Sequence, residues 1–254
     1  MPPARASRCC SRLPWKNRVM KPRHALVFLV LALASPGLRA AAPQQVSASY
    51  DVLRNGWHVA VMKETFEARD GSYRIVSESS AVGILALFER HPLRFVSSGQ
   101  LTATGLRPLH FEGARSEADP RRVRADFDWK AKSLKLAHDG RTDTVPLPPN
   151  TQDRLSVMYQ FMFHAFDGMQ RFESIMTNGR KLDHYRYAIR ADVEIETPLG
   201  RMKTVHLVRQ RGPGDSATEI WLAPQLHYLP VRMVIEENDG PRYEQTVVKL
   251  ETRP

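Results

Sequence analysis

Nucleophilic hydrolysis requires an activated serine with a histidine and a carboxylate in reach. The sequence offers Ser97-Ser98-Gly99 but no Gly-x-Ser-x-Gly elbow. The pair falls between strand-like segments, where a hydroxyl belongs to a turn or a sheet edge. Metal binding requires clustered ligands. His58, His91, His110, His138, His164, His184, His206 and His227 are spread one per segment, with no His-x-His or His-Glu-x-x-His. A hairpin through Pro198-Leu199-Gly200 brings His184 towards His206, but alternation puts His184 on a polar face, so a solvated cross-strand pair is the plain reading. Gly212-Pro213-Gly214 lacks the following Lys-Ser/Thr and the helix of a phosphate loop, and reads as a hairpin tip. Arg121, Arg122 and Arg124 are surrounded by Asp119, Asp126 and Asp128, the pattern of a solvated strand face. No catalytic residue, metal or cofactor is expected.

The apolar residues are more informative. Asn150 to Phe166 predicts a helix, with Asn150 or Thr151 as its cap, Asp153 in the first turn and Gly168 beyond the end. From Leu155 to Phe166 there is no Asp, Glu, Lys or Arg, so the helix is apolar nearly all round and must be buried on more than one side. Leu155, Met158 and Met162 form one stripe, and methionine beside phenylalanine gives a surface that repacks around different shapes. Such a helix is either a plug completing a core or a lid over a cavity for a lipid-like ligand. The candidate ligand contacts are Leu155, Met158, Phe161 and Met162, with Tyr185, Tyr187 and Ile189 from a facing strand.

The surroundings of that helix read as β structure. Asn55-Gly56, Asp70-Gly71, Asp139-Gly140, Asn178-Gly179 and Asp239-Gly240 are pairs that tolerate the positive φ of tight hairpin turns. Tyr185, Tyr187, Ile189, Ala191, Val193 and Ile195 alternate with mostly charged residues, which predicts a strand with one buried face. Val123, Ala125, Phe127 and Trp129 alternate likewise. Further strands are expected at Val46–Arg54, Trp57–Ala68, Ser72–Val82, Leu93–Leu101, Arg107–Ser116, Ser133–Ala137, Phe172–Thr177, Arg201–Gln210, Ala217–Leu222, Val231–Glu237 and Arg242–Leu250. Gly83–Glu89 is a short apolar stretch worth one or two helical turns. The expected fold is mainly β: an antiparallel, strongly curved sheet or half-barrel with one buried apolar helix at about 150–166.

The first forty-two residues differ in kind from the rest. They hold eight basic and no acidic residues, and Lys21 and Arg23 precede an uncharged run, Ala25–Ala34, and a small-residue tail ending at Ala42. That layout predicts a signal peptide cleaved near Ala40–Ala42, with Met20 as the ordinary start. The run is too short for a transmembrane anchor. Removing the eight basic residues from 37 leaves 29 against 27 acidic, so the net charge of +10 belongs mostly to the leader and a nucleic-acid role is excluded. Cys9 and Cys10 leave with it, so the mature chain has no disulfide or thiolate chemistry. Residues 43–254 are expected to form one domain in the periplasm.

Gln152-Asp153-Arg154-Leu155-Ser156, Ser98-Gly99, Gly105-Leu106-Arg107-Pro108, Trp221-Leu222-Ala223-Pro224 and Leu229-Pro230-Val231 resemble, in order and spacing, exported bacterial proteins of the DUF3108 group. The resemblance spans about Tyr50 to Leu250 and implies a β-rich envelope domain, similar to half-barrel lipoprotein-carrier folds, with no catalytic residues to carry over. Three functions follow as expectations. The first is non-enzymatic binding of an apolar or lipid-like ligand or acylated envelope component. The second is an interaction or scaffold module whose strand edges recruit an envelope protein. The third is an enzyme acting on an envelope polymer.

Overall fold

The computed structural model describes residues 42–89, 91–212 and 214–254. The expected signal peptide, its cleavage region before Ala42 and both cysteines lie outside the described residues.

The chain first runs through β1 (Gln45–Arg54), β2 (Trp57–Arg69), β3 (Ser72–Ala81), β4 (Leu93–Thr102) and β5 (Gly105–Ala114). It continues through β6 (Val123–Asp128), β7 (Ser133–His138), β8 (Arg141–Pro146), β9 (Gln152–Asp153) and the helix α1 (Ser156–Gln160). It ends with β10 (Arg171–Thr177), β11 (Leu182–Thr197), β12 (Gly200–Gln210), β13 (Ala217–Ala223), β14 (Leu229–Glu236) and β15 (Arg242–Arg253). All fifteen strands form one sheet, ordered 8-7-6-5-4-3-2-1-15-14-13-12-11-10-9, so two meanders are joined where β1 pairs with β15. The turn pairs explain the meander: Asn55-Gly56, Asp70-Gly71 and Asp139-Gly140 all carry positive φ at both residues and reverse the chain within two residues.

Connectivity forces the sheet to curl. Strands β8 and β9 are its two edges, yet only residues 147–151 join them. That segment reaches at most about 22 Å, whereas a flat sheet of this many strands would hold its edges about 67 Å apart. The sheet therefore curls back over a concave interior, and its edge strand β9 reaches β5, where Gln152 Nε2 donates to Leu106 O at 2.9 Å. The result is the open, curled, half-barrel-like sheet the sequence predicts. Strands β8 and β9 have no counterpart in the sequence reading, because β8 holds only one half-buried residue, Val145, and β9 is two residues long.

The predicted Asn150–Phe166 helix is much shorter. Gln152 and Asp153 are taken into parallel pairing with β10, and His164 is extended, leaving Ser156–Gln160 followed by a 3₁₀ turn, Phe161–Phe163. Asp153 ends the strand and starts the helix. Its Oδ1 accepts the N–H groups of Leu155 and Ser156 at 2.9 Å, while Ser156 Oγ accepts the Asp153 N–H at 2.9 Å. This reciprocal bonding satisfies orphan donors as a capping box does.

Strand β11 also departs from strict alternation. A bulge lies between Arg190 and Val193, with Asp192 at φ 54 and Ala191 exposed. Tyr185, Tyr187 and Ile189 pack on one core cluster and Ile195 on another, so the bulge hands the apolar stripe from one cluster to the next.

Candidate functional site

The short helix fills the concavity. Leu155, Tyr159 and Met162 join the core of β2–β7, while Val157, Phe161 and Phe166 join that of β10–β13, and all six are buried. Phe161 is 1 % exposed and meets Phe172 edge-on at 5.5 Å between centroids. Polar latches fix the same segment: Gln160 Oε1 accepts Leu106 N–H at 2.7 Å and its Nε2 donates to Thr104 O at 2.9 Å. Ser97, fully buried in β4 rather than at a turn or edge, donates to Asp153 Oδ2 at 2.6 Å. Its hydroxyl also lies 3.1 Å from Tyr73 Oη, so this serine anchors the helix start.

Of the sequence-predicted contacts, Leu155, Phe161, Met162 and Tyr187 are buried in these cores. Met158, Tyr185 and Ile189 keep exposed surface; Met158 touches both clusters, and Tyr185 and Ile189 pack on the β10–β13 side. The histidines pair mainly with carboxylates of their own or neighbouring strands. His206 Nε2 lies 2.7 Å from Glu219, His110 Nδ1 lies 2.7 Å from Asp126, and His184 Nε2 lies 2.8 Å from Glu173. His206 is opposite Arg190 in the ladder, so the β11–β12 hairpin does not bring His184 to it. Among the described residues no group of three His, Cys, Asp or Glu could hold a metal ion.

A different set of residues converges at one end of the concavity. Glu64, Ser77, Phe95, Gly113 and Val123 stand directly opposite one another on β2 to β6, forming one inward row. A Cβ on Gly113 would sit 2.1 Å from the Phe95 ring, so glycine is what lets that ring lie across β5. On Phe95 rests the guanidinium of Arg154, 4.5 Å from the ring centroid, a cation–π contact. Arg154 is exposed to water, yet the walls of the concavity displace bulk solvent around it, and this desolvation lowers its pKa against the pull of Glu64, Tyr185 and Asp153. Among the described residues its guanidinium has neither a hydrogen bond nor an ion pair.

Glu64 is buried on the same row. Desolvation raises its pKa, opposed by hydrogen bonds from Ser77 and Tyr159 and by the charge of Arg154. Tyr159 Oη donates to Glu64 Oε2 at 3.2 Å.

A pocket of about 240 Å³ opens beside Arg154, lined by Leu93, Phe95, Arg115, Arg121, Arg154 and Arg180 among others. It faces the end of the sheet where β3 passes to β4. That connection contains a 3₁₀ turn, Gly83–Leu87, with no buried residue. Ile84, Leu87 and Phe88 are 72 %, 72 % and 80 % exposed, and Leu85 is also exposed. Trp57, at the start of β2 and 79 % exposed, lies at the same end, since Val82 N–H bonds Val59 O. Five of the eight exposed large hydrophobic residues among the described residues thus gather here. A larger depression of about 630 Å³ lies along β5–β8, lined by Arg107, Leu109, Asp126, Trp129 and Lys135, but it is open to solvent and its Asp126 is already paired.

The sequence reading singled out the apolar turn as a stretch but missed Arg154 as a site residue. The signal for it was its place in Gln152-Asp153-Arg154-Leu155-Ser156, the last charge before the uncharged segment Leu155–Phe166.

Solved structures with broad coverage include a candidate lipoprotein from Parabacteroides distasonis, 10% identical, covering 82% of this chain and 97% of its own, at a TM-score of 0.35. A candidate exported protein with YmcC-like fold from Bacteroides fragilis is 8% identical, covers 83% and 96%, and gives 0.30. A candidate outer membrane lipoprotein-sorting protein domain from Vibrio parahaemolyticus is 9% identical, covers 82% and 85%, and gives 0.25. No curated protein matches the sequence. A family model described as a protein of unknown function matches residues 45–248, nearly the whole of the curled sheet, and by that match the chain belongs to the DUF3108 family.

Proposed function

We propose that this is an exported, periplasmic, non-enzymatic envelope protein that binds an apolar or lipid-like ligand, such as the acyl part of an envelope component. The observation that carries the reading is the gathering of Trp57, Ile84, Leu85, Leu87 and Phe88 at the open end of the sheet, beside a pocket floored by Phe95 and Leu93. A soluble chain leaves large side chains together in water where a partner covers them. The leader layout supports export, and among the described residues no helix is long and apolar enough to cross a membrane.

The ligand lies at the mouth and not beneath the helix, because the interior is already packed. Met158 and Tyr185 contact it from the inner wall, whereas Ile189, opposite Gln170 at the far end of β10, joins Leu155, Phe161, Met162 and Tyr187 in the packed layer away from the mouth. A fluorescent fatty-acyl probe tests this. The parent protein should bind it, and the double variant Leu87→Ser, Phe88→Ser should lose most binding, while its melting temperature stays within a few degrees because both side chains are exposed. Equal binding by the two proteins would remove the mouth as the site.

A further inference from the structure

We infer that the pocket at the mouth is an oxyanion site centred on Arg154, which takes the phosphate or carboxylate headgroup of the amphiphile. This deepens, and rests on, the proposed binding of a lipid-like ligand.

Four arginines line the pocket, and three of them are already neutralised. Arg115 pairs with Glu89, Arg121 lies 3.6 Å from Asp119, and Arg180 pairs with Asp139. Asp119 itself faces the pocket, but the N–H groups of Arg115 and Arg121 bond it and hold its pKa below the usual range. These three ion pairs occupy three of the four guanidiniums; Arg154 feels the charge of Glu64 and Asp153 but, among the described residues, is bonded to no carboxylate. An accessible guanidinium whose donors are bonded to no described residue is suited to bidentate bonding of a phosphate or carboxylate. Stacking on Phe95 fixes its plane, and Asn178 on the pocket rim adds a neutral amide.

Size and surroundings assign the rest of the ligand. At about 240 Å³ the pocket is smaller than those that enclose drug-sized ligands, about 300–1,000 Å³. It holds a headgroup and not an alkyl chain. The chain must leave through the mouth, where the apolar turn waits. Arg115 ties the two together, pairing with Glu89 just after the turn and donating to His91 O at 3.0 Å while lining the pocket.

The test is calorimetric titration with dodecyl phosphate below its micellar concentration, with dodecyl maltoside as the uncharged amphiphile and with inorganic phosphate. The parent protein should bind dodecyl phosphate at least about tenfold tighter than the maltoside. Arg154→Gln should abolish that preference while keeping the maltoside affinity, and Arg154→Lys should restore part of it. An unchanged melting temperature controls for folding, since Arg154 is exposed. Equal affinity for both amphiphiles, unaffected by Arg154→Gln, overturns the oxyanion site and leaves lipid binding standing. Inorganic phosphate bound as tightly as dodecyl phosphate, and lost in Arg154→Gln, supports the site but overturns the amphiphile, since the alkyl chain then adds nothing. No binding of any of the three overturns both.

Discussion

Asp153→Ala is expected to lower the free energy of unfolding by about 3–5 kcal/mol. The carboxylate is fully buried and accepts three hydrogen bonds, from Leu155 N–H, Ser156 N–H and Ser97 Oγ. Alanine orphans all three donors, and each unsatisfied buried group costs about 1–3 kcal/mol. Part of the total is returned, because burial raises the pKa of Asp153 and removing the group also removes that desolvation cost. Asp153→Asn keeps an acceptor for the two N–H groups, so it should cost about 1–2 kcal/mol. Urea unfolding of the parent and both variants checks the order. Similar losses in the two would mean that the carboxylate charge and its bond from Ser97, and not the two N–H bonds that asparagine can keep, dominate at this site.

Phe161→Ala should cost about 3–5 kcal/mol and leave binding of a fatty-acyl probe unchanged. Phe161 is packed against Phe166 and Phe172 in an interior with no room to collapse around the deletion. Met158→Ala should behave oppositely. That side chain is half-buried between two clusters, so its truncation should cost under about 2 kcal/mol yet weaken the probe. Melts with and without probe separate the two effects. Probe binding lost in Phe161→Ala at a temperature where the variant is still folded would show that the helix opens over the ligand as a lid.

The meander was legible because its turns are chemically explicit. An Asn-Gly or Asp-Gly pair marks each of several reversals, and the alternation of residues such as Val123, Ala125 and Phe127 marks a buried face. The buried character of 155–166 was legible from its lack of charge. Its helical length was not, because Gln152 and Asp153 follow strand β10, a partner that only the closing of the sheet supplies. The bulge at Ala191–Asp192 was hidden for a related reason: uninterrupted alternation in sequence does not reveal a residue left unpaired by the neighbouring strand. Arg154 was the largest omission. Its importance lies in its setting, a guanidinium stacked on Phe95 and held by no direct ion pair among the described residues, and that depends on Phe95, Glu64 and Tyr185 arriving from distant strands. The same holds for the exposed turn at Ile84–Phe88, whose residues look like core in sequence and prove to be surface only when the strands around them are placed.

The claim that the mouth of the curled sheet holds an amphiphile is tested most directly by mass spectrometry of organic extracts from protein purified out of its native envelope. The parent protein should bring down an acyl-bearing molecule with an acidic headgroup in stoichiometric amount, and Leu87→Ser, Phe88→Ser should bring down much less. A parent preparation free of acyl-bearing molecules, from protein that is folded by thermal melt, would contradict the account and turn attention to the free edge strand β8 as a surface for another envelope protein.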